Sequence, residues 1–341
     1  MLENVDICVG LAWGDEAKGK IVASLSQSDT YDIVCRWAGG SNAGHTIWIQ
    51  NRKYITHLVP CGILFNKLSI IGPDCVLHIP SFFNEIKYLR ENGFDTSKVK
   101  VSPSCHIVSD DHIYEDTQKE SNALGTTSQG IRQCYRDKYA RIGTRAIDCP
   151  ELHSYLWNGK LHGNVLCEGA QGFWLDINCG NYPYVTSSTT LPYGACSLGF
   201  SPKKIRTIYG AAKMYDTRSG VDPDFPECLL QDEELKSIAT LGEEYGNTTG
   251  RPRIVNWLNM NKLVKAINQS GTTMVIMSKG DVLEAVGVYR VFSVYAQKLI
   301  SFPNMVSMKK YIESELKGYC LDLTHVIFSE SAKLMSISQM R

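Results

Sequence analysis

Val5-Asp6-Ile7-Cys8-Val9-Gly10, running into Gly14-Asp15-Glu16-Ala17-Lys18-Gly19-Lys20, reads as a strand that feeds a phosphate-holding loop at a helix start. That pairing points to an α/β fold. The spacing from Gly14 to Gly19-Lys20 meets the first part of a Walker-type loop, but Ile21 stands where a magnesium-binding Ser or Thr belongs. Another oxygen must then hold the metal. Asp15, inside the loop, offers a carboxylate beside the phosphates, and a carboxylate there can also act as a base on whatever lies opposite the terminal phosphate. The expectation is phosphoryl transfer to a second small molecule.

A glycine- and lysine-rich turn also occurs as plain punctuation between strand and helix, so a second loop carries weight. Trp37-Ala38-Gly39-Gly40-Ser41-Asn42-Ala43-Gly44-His45-Thr46 follows the strand-like Asp32-Ile33-Val34-Cys35. Its glycines let the backbone approach a ligand closely, Asn42 can read a planar edge, and His45 can donate a proton near neutral pH.

The 341 residues carry 35 basic and 35 acidic side chains with 43% hydrophobic content, enough for a large core and without the basic excess of a nucleic-acid binder. No apolar stretch reaches bilayer length, and Met1-Leu2-Glu3-Asn4-Val5-Asp6 lacks the basic-then-apolar pattern of a signal peptide. A cytoplasmic location and no membrane partner are expected. The 12 cysteines are scattered without a Cys-x-x-Cys pair, and neither Cys105-His106 nor His57 with Cys61 has metal-ligand spacing. All twelve read as structural thiols.

Short β-branched runs alternate with amphipathic segments, the pattern of a mostly parallel sheet covered by helices. Strands are expected at Asp6–Gly10, Asp32–Cys35, Leu68–Gly72, Lys98–Val101, Val165–Glu168, Arg206–Ala211, Met274–Ser278 and Val326–Ser329. Ser81 is expected to cap a helix that ends near Gly93, and Ile47–Gln50 with Lys53–Thr56 to form a hairpin turning at Asn51-Arg52. No repeat or low-complexity linker divides residues 1–341, so one domain with long functional loops is expected.

Four further segments carry polar groups suited to a ligand. Gly125-Thr126-Thr127-Ser128-Gln129-Gly130 is a hydroxyl-rich loop fit for a phosphate, or a solvated loop, with Arg141 and Arg145 as nearby cations in sequence. Glu168-Gly169-Ala170-Gln171-Gly172 follows a buried-looking strand, where Gln171 can pair with a base or simply cap. Gly246-Asn247-Thr248-Thr249-Gly250-Arg251-Pro252-Arg253 suits a small dicarboxylate, because guanidinium forks bind carboxylates bidentately; an exposed basic turn is the alternative. Ser278-Lys279-Gly280-Asp281 ends a strand, and Asp281 can accept hydrogen bonds from a guanine edge.

Along essentially its full length the chain resembles adenylosuccinate synthetase. The resemblance rests on Trp13 through Lys20, Asn42 through Thr46, Gly125-Thr126-Thr127, Glu168 through Gly172, Tyr182-Pro183-Tyr184-Val185-Thr186-Ser187-Ser188, Thr248-Thr249-Gly250-Arg251, and Lys279 with Asp281. It implies a single α/β domain around a large mostly parallel sheet with a P-loop-like phosphate corner. The implied reaction joins the amine of L-aspartate to C6 of a 6-oxopurine nucleotide, using a nucleoside triphosphate and Mg2+.

By that resemblance Asp15 would take the N1 proton, and the C6 oxygen would attack the γ-phosphate to give a 6-phosphoryl intermediate; His45 and Gln171 would steady the transferring group. Asp15 and the Gly44 carbonyl would hold Mg2+. Gly14, Asp15, Glu16, Ala17, Lys18, Gly19 and Lys20, with Gly44, His45, Thr46, Arg253, Lys279, Asp281, Ser329 and Ser331, would hold the triphosphate. Asn42, Thr126, Thr127, Arg141, Gln171, Thr186, Ser219 and Arg251 would hold the purine nucleotide, Arg141 by reaching across a homodimer. Asn247, Thr248, Thr249, Arg251 and Arg253 would hold aspartate.

Departures from the family pattern cluster where nucleotide identity is read. Ala17 replaces a loop glycine, Asn178 an aspartate, and Ser219 an apolar residue near the ribose. Val221-Asp222-Pro223-Asp224-Phe225-Pro226 replaces a Gly-Pro-Phe-Pro stretch, and Pro252 interrupts an arginine run. Ser329-Glu330-Ser331-Ala332 occupies the place of a Thr-Gly-Pro segment that wraps guanine, which leaves the triphosphate open among ATP, dATP and GTP. A viral branch of the family converts dGMP for diaminopurine DNA, often with serine at the base position. The altered ribose and wall residues lean toward dGMP and the retained Asp15 toward IMP; dGMP is the expected substrate by a slight preference, with IMP and GTP as the alternative. The rivals from other classes are a nucleotide-switch NTPase and a catalytically dead nucleotide sensor.

Overall fold

The computed structural model describes residues 1–118, 125–225, 229, 231–246, 250–293, 295–329 and 333–335. Asn247, Thr248, Thr249 and Ser331 lie outside the described residues. The chain opens with β1 (Leu2–Gly10), α1 (Lys18–Ser26), β2 (Ile33–Gly39), β3 (His45–Ile49), β4 (Arg52–Thr56), β5 (Leu68–Leu77) and α2 (Ile79–Glu91). It continues through β6 (Val99–Val101), β7 (His106–Ile107), α3 (Asp110–Asp116), α4 (Ile131–Ala140), β8 (Gly163–Glu168), β9 (Ile205–Lys213) and β10 (Tyr215–Arg218). Then come α5 (Glu233–Leu241), β11 (Ile254–Asn259), α6 (Met260–Ser270), β12 (Met274–Ser278), α7 (Gly280–Val286), β13 (Arg290–Phe292), β14 (Leu299–Ser301), α8 (Met305–Tyr319) and β15 (His325–Phe328).

Nine strands form the central sheet in the order β15-β12-β9-β1-β8-β2-β5-β6, with β7 also beside β5. Every pairing in it is parallel, so the α/β expectation holds. Parallel strands are covered on both faces, and side chains alternate between them. Val5, Ile7, Val165 and Cys167 pack into one core, and Cys8, Val34, Leu166 and Ile276 into the other, where Ile21, Val22 and Leu25 of α1 meet them. This alternation decides where Glu168 goes: it sits on the α1 face at the carboxyl end of β8.

Several boundaries move. β5 runs through Pro73, where a strand end was expected. Its neighbour β6 pairs with Ser69–Ile71 and β7 with Val76–Leu77, so Pro73 falls between those pairings, where a missing N–H breaks no ladder bond. Helix α2 starts at Ile79, not after Ser81, because Pro80 fits the first turn; Ser81 instead lies 2.8 Å from His78 Nδ1 through its hydroxyl. The hairpin turns at Gln50-Asn51, both with positive φ, and Arg52 begins β4. A second sheet, β10-β11-β13-β14, was not anticipated. Among the described residues no helix is long and apolar enough to cross a membrane.

Within that second sheet Asp216 is buried and accepts the Asn259 backbone N–H at 2.9 Å. Burial pushes its carboxyl up to about 7. A raised acid contributes its full stability below the unfolded value and loses it as pH rises through the folded value. Asp216→Asn keeps an acceptor for Asn259 and removes the charge. At about pH 8 it is expected to unfold at higher temperature than the parent, by up to about 4 kcal/mol, and the gap should close near pH 4. Thermal melts at the two pH values check this.

Candidate active site

The turn between β1 and α1 is built around buried Glu16. Its Oε1 accepts the backbone N–H of Ala12 at 3.0 Å and of Gly14 at 2.8 Å, while Oε2 accepts from Lys18 Nζ at 2.6 Å. Glu16 is therefore spent on shaping the loop and does not line the cavity beside it. Gly14, Asp15 and Ala17 all take positive φ, at 91°, 60° and 69°. For Ala17 that conformation costs about 1 kcal/mol, strain of the kind found at functional turns. No side chain caps the N-terminus of α1. Its first N–H groups and the helix dipole thus face the cavity, an arrangement suited to an anion.

The cavity has a volume of about 720 Å³ and lies at the carboxyl ends of the central strands, where open parallel sheets place ligands. Gly14, Asp15, Ala17, Lys18, Gly19, Lys20, Gly44, His45 and Thr46 line it. Asn42, Thr126, Thr127, Gln171, Thr186, Ser219 and Arg251 line it too, as do Arg253, Lys279 and Asp281. Residues from both ends of the sequence therefore share one chamber. Among the described residues, the buried polar atoms on its lining without a hydrogen-bond partner include Thr46 Oγ1, Gln171 Oε1, Ser219 Oγ and Ser278 Oγ. Buried polar groups are normally satisfied, so these mark places that a polar ligand completes.

Besides Glu16, two expected residues lie elsewhere. Ser329 does not line the cavity; its hydroxyl accepts from Lys20 Nζ and so orients the loop lysine. Burial lowers the Lys20 ammonium to about 8, with Lys279 adding to the fall and Asp281 opposing it. Arg141 is exposed at the carboxyl end of α4, outside its own chain's cavity, whereas Arg132 on the same helix lines it.

His45 is held from behind. Its Nδ1 contacts Glu168 Oε1, which leaves Nε2 as the nitrogen available to the cavity. Burial lowers the His45 value and outweighs the attraction of Glu168. Glu168 itself stays below the usual carboxylate range because His45, Arg36 and the Cys61 N–H together overcome its burial. The pair is then a neutral imidazole whose Nδ1–H donates to an ionised carboxylate. Helix α1 presses on the ring: a Cβ at Gly19 would lie 2.6 Å from His45 Cβ.

A second buried chain of charges runs behind Asp15. Arg253 donates from Nε to Asp15 Oδ2 at 2.8 Å and from its terminal nitrogen to Glu244 Oε2 at 2.6 Å. Glu244 also accepts Lys213 at 3.0 Å and the Tyr215 hydroxyl at 2.7 Å, with Lys279 at 3.7 Å. Burial alone would raise Glu244, but Lys213, Lys279 and Arg253 hold it down at about 2. Arg251 donates from both terminal nitrogens to the Gly125 carbonyl at 3.2 Å.

The family model described as adenylosuccinate synthetase matches residues 7–162 and 150–330. A relative, the adenylosuccinate synthetase of Lysinibacillus sphaericus strain C3-41, is 34% identical over 93% of this chain and 88% of its own length. The chain belongs to the adenylosuccinate synthetase family. It is a carbon–nitrogen ligase that joins aspartate to a purine nucleotide. The fully ligated adenylosuccinate synthetase of Plasmodium falciparum superimposes with a TM-score of 0.83 at 28% identity, covering 97% of this chain and 98% of that one. The succinoaminodeoxyadenylate synthetase of cyanophage S-2L, bound to dGMP and dATP, superimposes with a TM-score of 0.72 at 20% identity over 98% of this chain and 94% of that one. That second likeness shows a common fold.

Sequence reading missed Glu244, Lys213, Arg218 and Arg132, and it took Glu168 only as part of a motif. Glu168 and Lys213 had one visible signal, a charge at the carboxyl end of an otherwise apolar strand in this ligase's sheet. Gly19→Ala tests the His45 geometry. The added methyl must displace the ring or α1, so kcat is expected to fall about 10²-fold at a stability cost of about 1–3 kcal/mol. Steady-state rates read beside a thermal melt check it.

Proposed function

We propose that the protein couples L-aspartate to C6 of a 6-oxopurine nucleoside monophosphate through a 6-phosphoryl intermediate, with dGMP as its monophosphate and ATP or dATP as phosphoryl donor. The observation that carries the chemistry is that Asp15 and His45 line one chamber together with Gln171 and Thr127. Asp15 accepts the ring N1 proton, which puts negative charge on the C6 oxygen; that oxygen then attacks the terminal phosphorus. His45, which takes a proton at Nε2 once phosphate charge lies beside it, and the Gln171 side-chain amide meet the moving group, and Glu168 holds the imidazole in place. The aspartate amine next displaces phosphate, a far better leaving group than oxide. Arg251 and Arg253 supply forks for the two aspartate carboxylates.

The oxygen donors at the loop fit Mg2+: the Asp15 carboxylate and the Gly44 carbonyl are hard ligands, and Thr46 Oγ1 lies unpaired in the same chamber. When bound, the ion neutralises phosphate charge. Asp15 is paired with Arg253 here, so ligand binding exchanges one cation for another at that carboxylate.

The buried, unpaired Ser219 hydroxyl and the diversion of Ser329 to Lys20 support the dGMP assignment, since both alter walls that read nucleotide identity. IMP with GTP is the second reading, favoured by Asp15 itself and by Asp281 on the cavity wall. The exposed position of Arg141 supports its service to a neighbouring subunit, and we take the working unit to be a homodimer of single-domain chains. Phosphate release measured across IMP, GMP and dGMP against ATP, dATP and GTP, with and without aspartate, tests these assignments. Turnover of IMP with dGMP ignored overturns the monophosphate, and release that needs no monophosphate supports the NTPase switch instead.

Lys20 supplies a pH signature. Its charged form prevails below about pH 8, so the KM for the triphosphate is expected to rise as pH climbs past that value. A KM that stays flat to about pH 9.5 contradicts a phosphate contact by Lys20.

A further inference from the structure

Three segments far apart in sequence bring unlike metal-ligating groups to one point behind the cavity wall. His45 begins β3, Cys61 opens the short turn Cys61–Phe65, and Glu168 ends β8. Local spacing gave no hint of this cluster, because the sheet assembles it. Cys61 Sγ lies 3.8 Å from His45 Nδ1 and 3.4 Å from Glu168 Oε1, and the Cys61 N–H donates to Glu168 Oε2 at 2.7 Å. All three residues are buried, with one donor atom from each inside a 4.8 Å span.

A tetrahedral ion held at about 2.0–2.3 Å by nitrogen, sulfur and oxygen sets its ligands roughly 3.3–3.6 Å apart. Both sulfur edges already stand near that separation. Nδ1 and Oε1, now in direct contact, must part by about 1 Å, which a small turn of the imidazole provides. Thr56 Oγ1, 3.5 Å from the sulfur, is a further oxygen neighbour. We propose that His45, Cys61 and Glu168 form a binding site for a zinc-class divalent cation, separate from the oxygen-lined magnesium position and inhibitory when filled.

The donor set selects the ion, since imidazole and thiolate favour zinc or cobalt, whereas magnesium takes oxygen. Charge closes as well: thiolate and carboxylate together cancel a dication, so the filled site is neutral. The Cys61 thiol proton leaves to solvent, and the Nδ1 proton of neutral His45 reappears on Nε2, so one proton is released per ion bound. Entry is from the chamber, because His45 lines it and Cys61 and Glu168 stand behind. Once Nδ1 is bound to metal, the ring can no longer take a second proton. Inhibition rests on the catalytic reading of His45, but binding does not.

The test is a Co2+ titration of metal-stripped protein in excess Mg2+, followed by absorption. One equivalent is expected to develop a thiolate-to-cobalt charge-transfer band that Zn2+ displaces, and Cys61→Ser is expected to lose the band and to bind Co2+ at least tenfold more weakly. Zinc should inhibit the parent at least tenfold more tightly than this variant. Absence of a stoichiometric band in the parent, or a band unchanged in Cys61→Ser, overturns the site. If the variant does not fold, X-ray absorption of the parent cobalt complex decides: one sulfur in a nitrogen and oxygen shell supports the site, and any other sulfur count overturns it. Binding without ligase activity would sink the catalytic reading alone; ligase activity without binding would sink only this site.

Discussion

Asp15→Asn is expected to lower aspartate incorporation by at least about 10³-fold while the protein stays folded. Asparagine fills the same volume at a position with positive φ, which it tolerates as well as aspartate does. It cannot accept the ring proton, and it binds a divalent ion poorly. Asp15 carries both tasks in the proposed scheme, so the loss should fall on kcat and on the magnesium requirement together. A change confined to the KM for one substrate would mean that Asp15 merely positions a ligand. Because Arg253 loses an ionised partner but keeps Glu244, the melting temperature should move little.

Glu244→Ala is expected to have the largest effect on stability. It strips the partner from Lys213, which is buried, and from one end of Arg253. Removing one member of a buried ion pair costs about 3–5 kcal/mol, since the remaining charge stays desolvated. Lys213 is already lowered by burial, against which Glu244 works, so in the variant its ammonium should give up its proton more readily. Glu244 in the parent sits at about 2, below the ordinary carboxylate value, so the stability it contributes is present above the unfolded value and is lost as pH falls toward 2. Chemical denaturation at neutral pH measures the loss. Acid titration should show that Glu244→Gln lacks this part of the parent's acid sensitivity.

The central sheet was legible because its strands announce themselves by apolar runs ending in glycine, as in Val5–Gly10 and the stretch before Gly39. Buried parallel strands need little else. The second sheet was not, for a physical reason: β10 is Tyr215-Asp216-Thr217-Arg218, polar in sequence yet buried throughout, its charges matched by Asn259 and Asp222. The partner of Asp216 lies 43 residues along the chain, a separation that leaves no local pattern. The helix start at Ile79 was hidden for the opposite reason, because a proline beside an expected cap suggested a break and in fact filled the first turn.

The site divides the same way. Glycine loops and their hydroxyls were readable because backbone approach and phosphate binding demand those residues in runs. The carboxylates that set the working groups, Glu168 behind His45 and Glu244 behind Arg253, were not, since Glu168 meets His45 from 123 residues away and Glu244 gathers Lys213, Arg253 and Lys279 from three separate segments. Glu16 shows the converse. It lies in the loop motif and was expected on the triphosphate, yet it folds back onto Ala12, Gly14 and Lys18.

Transfer of the C6 oxygen is the most direct test of the scheme. A purine monophosphate carrying heavy oxygen at C6 should deliver that label into the inorganic phosphate released in step with succinyl product, one atom per turnover. Label that stays out of phosphate and appears in water would contradict a 6-phosphoryl intermediate, and with it the role assigned to the carboxylate of Asp15.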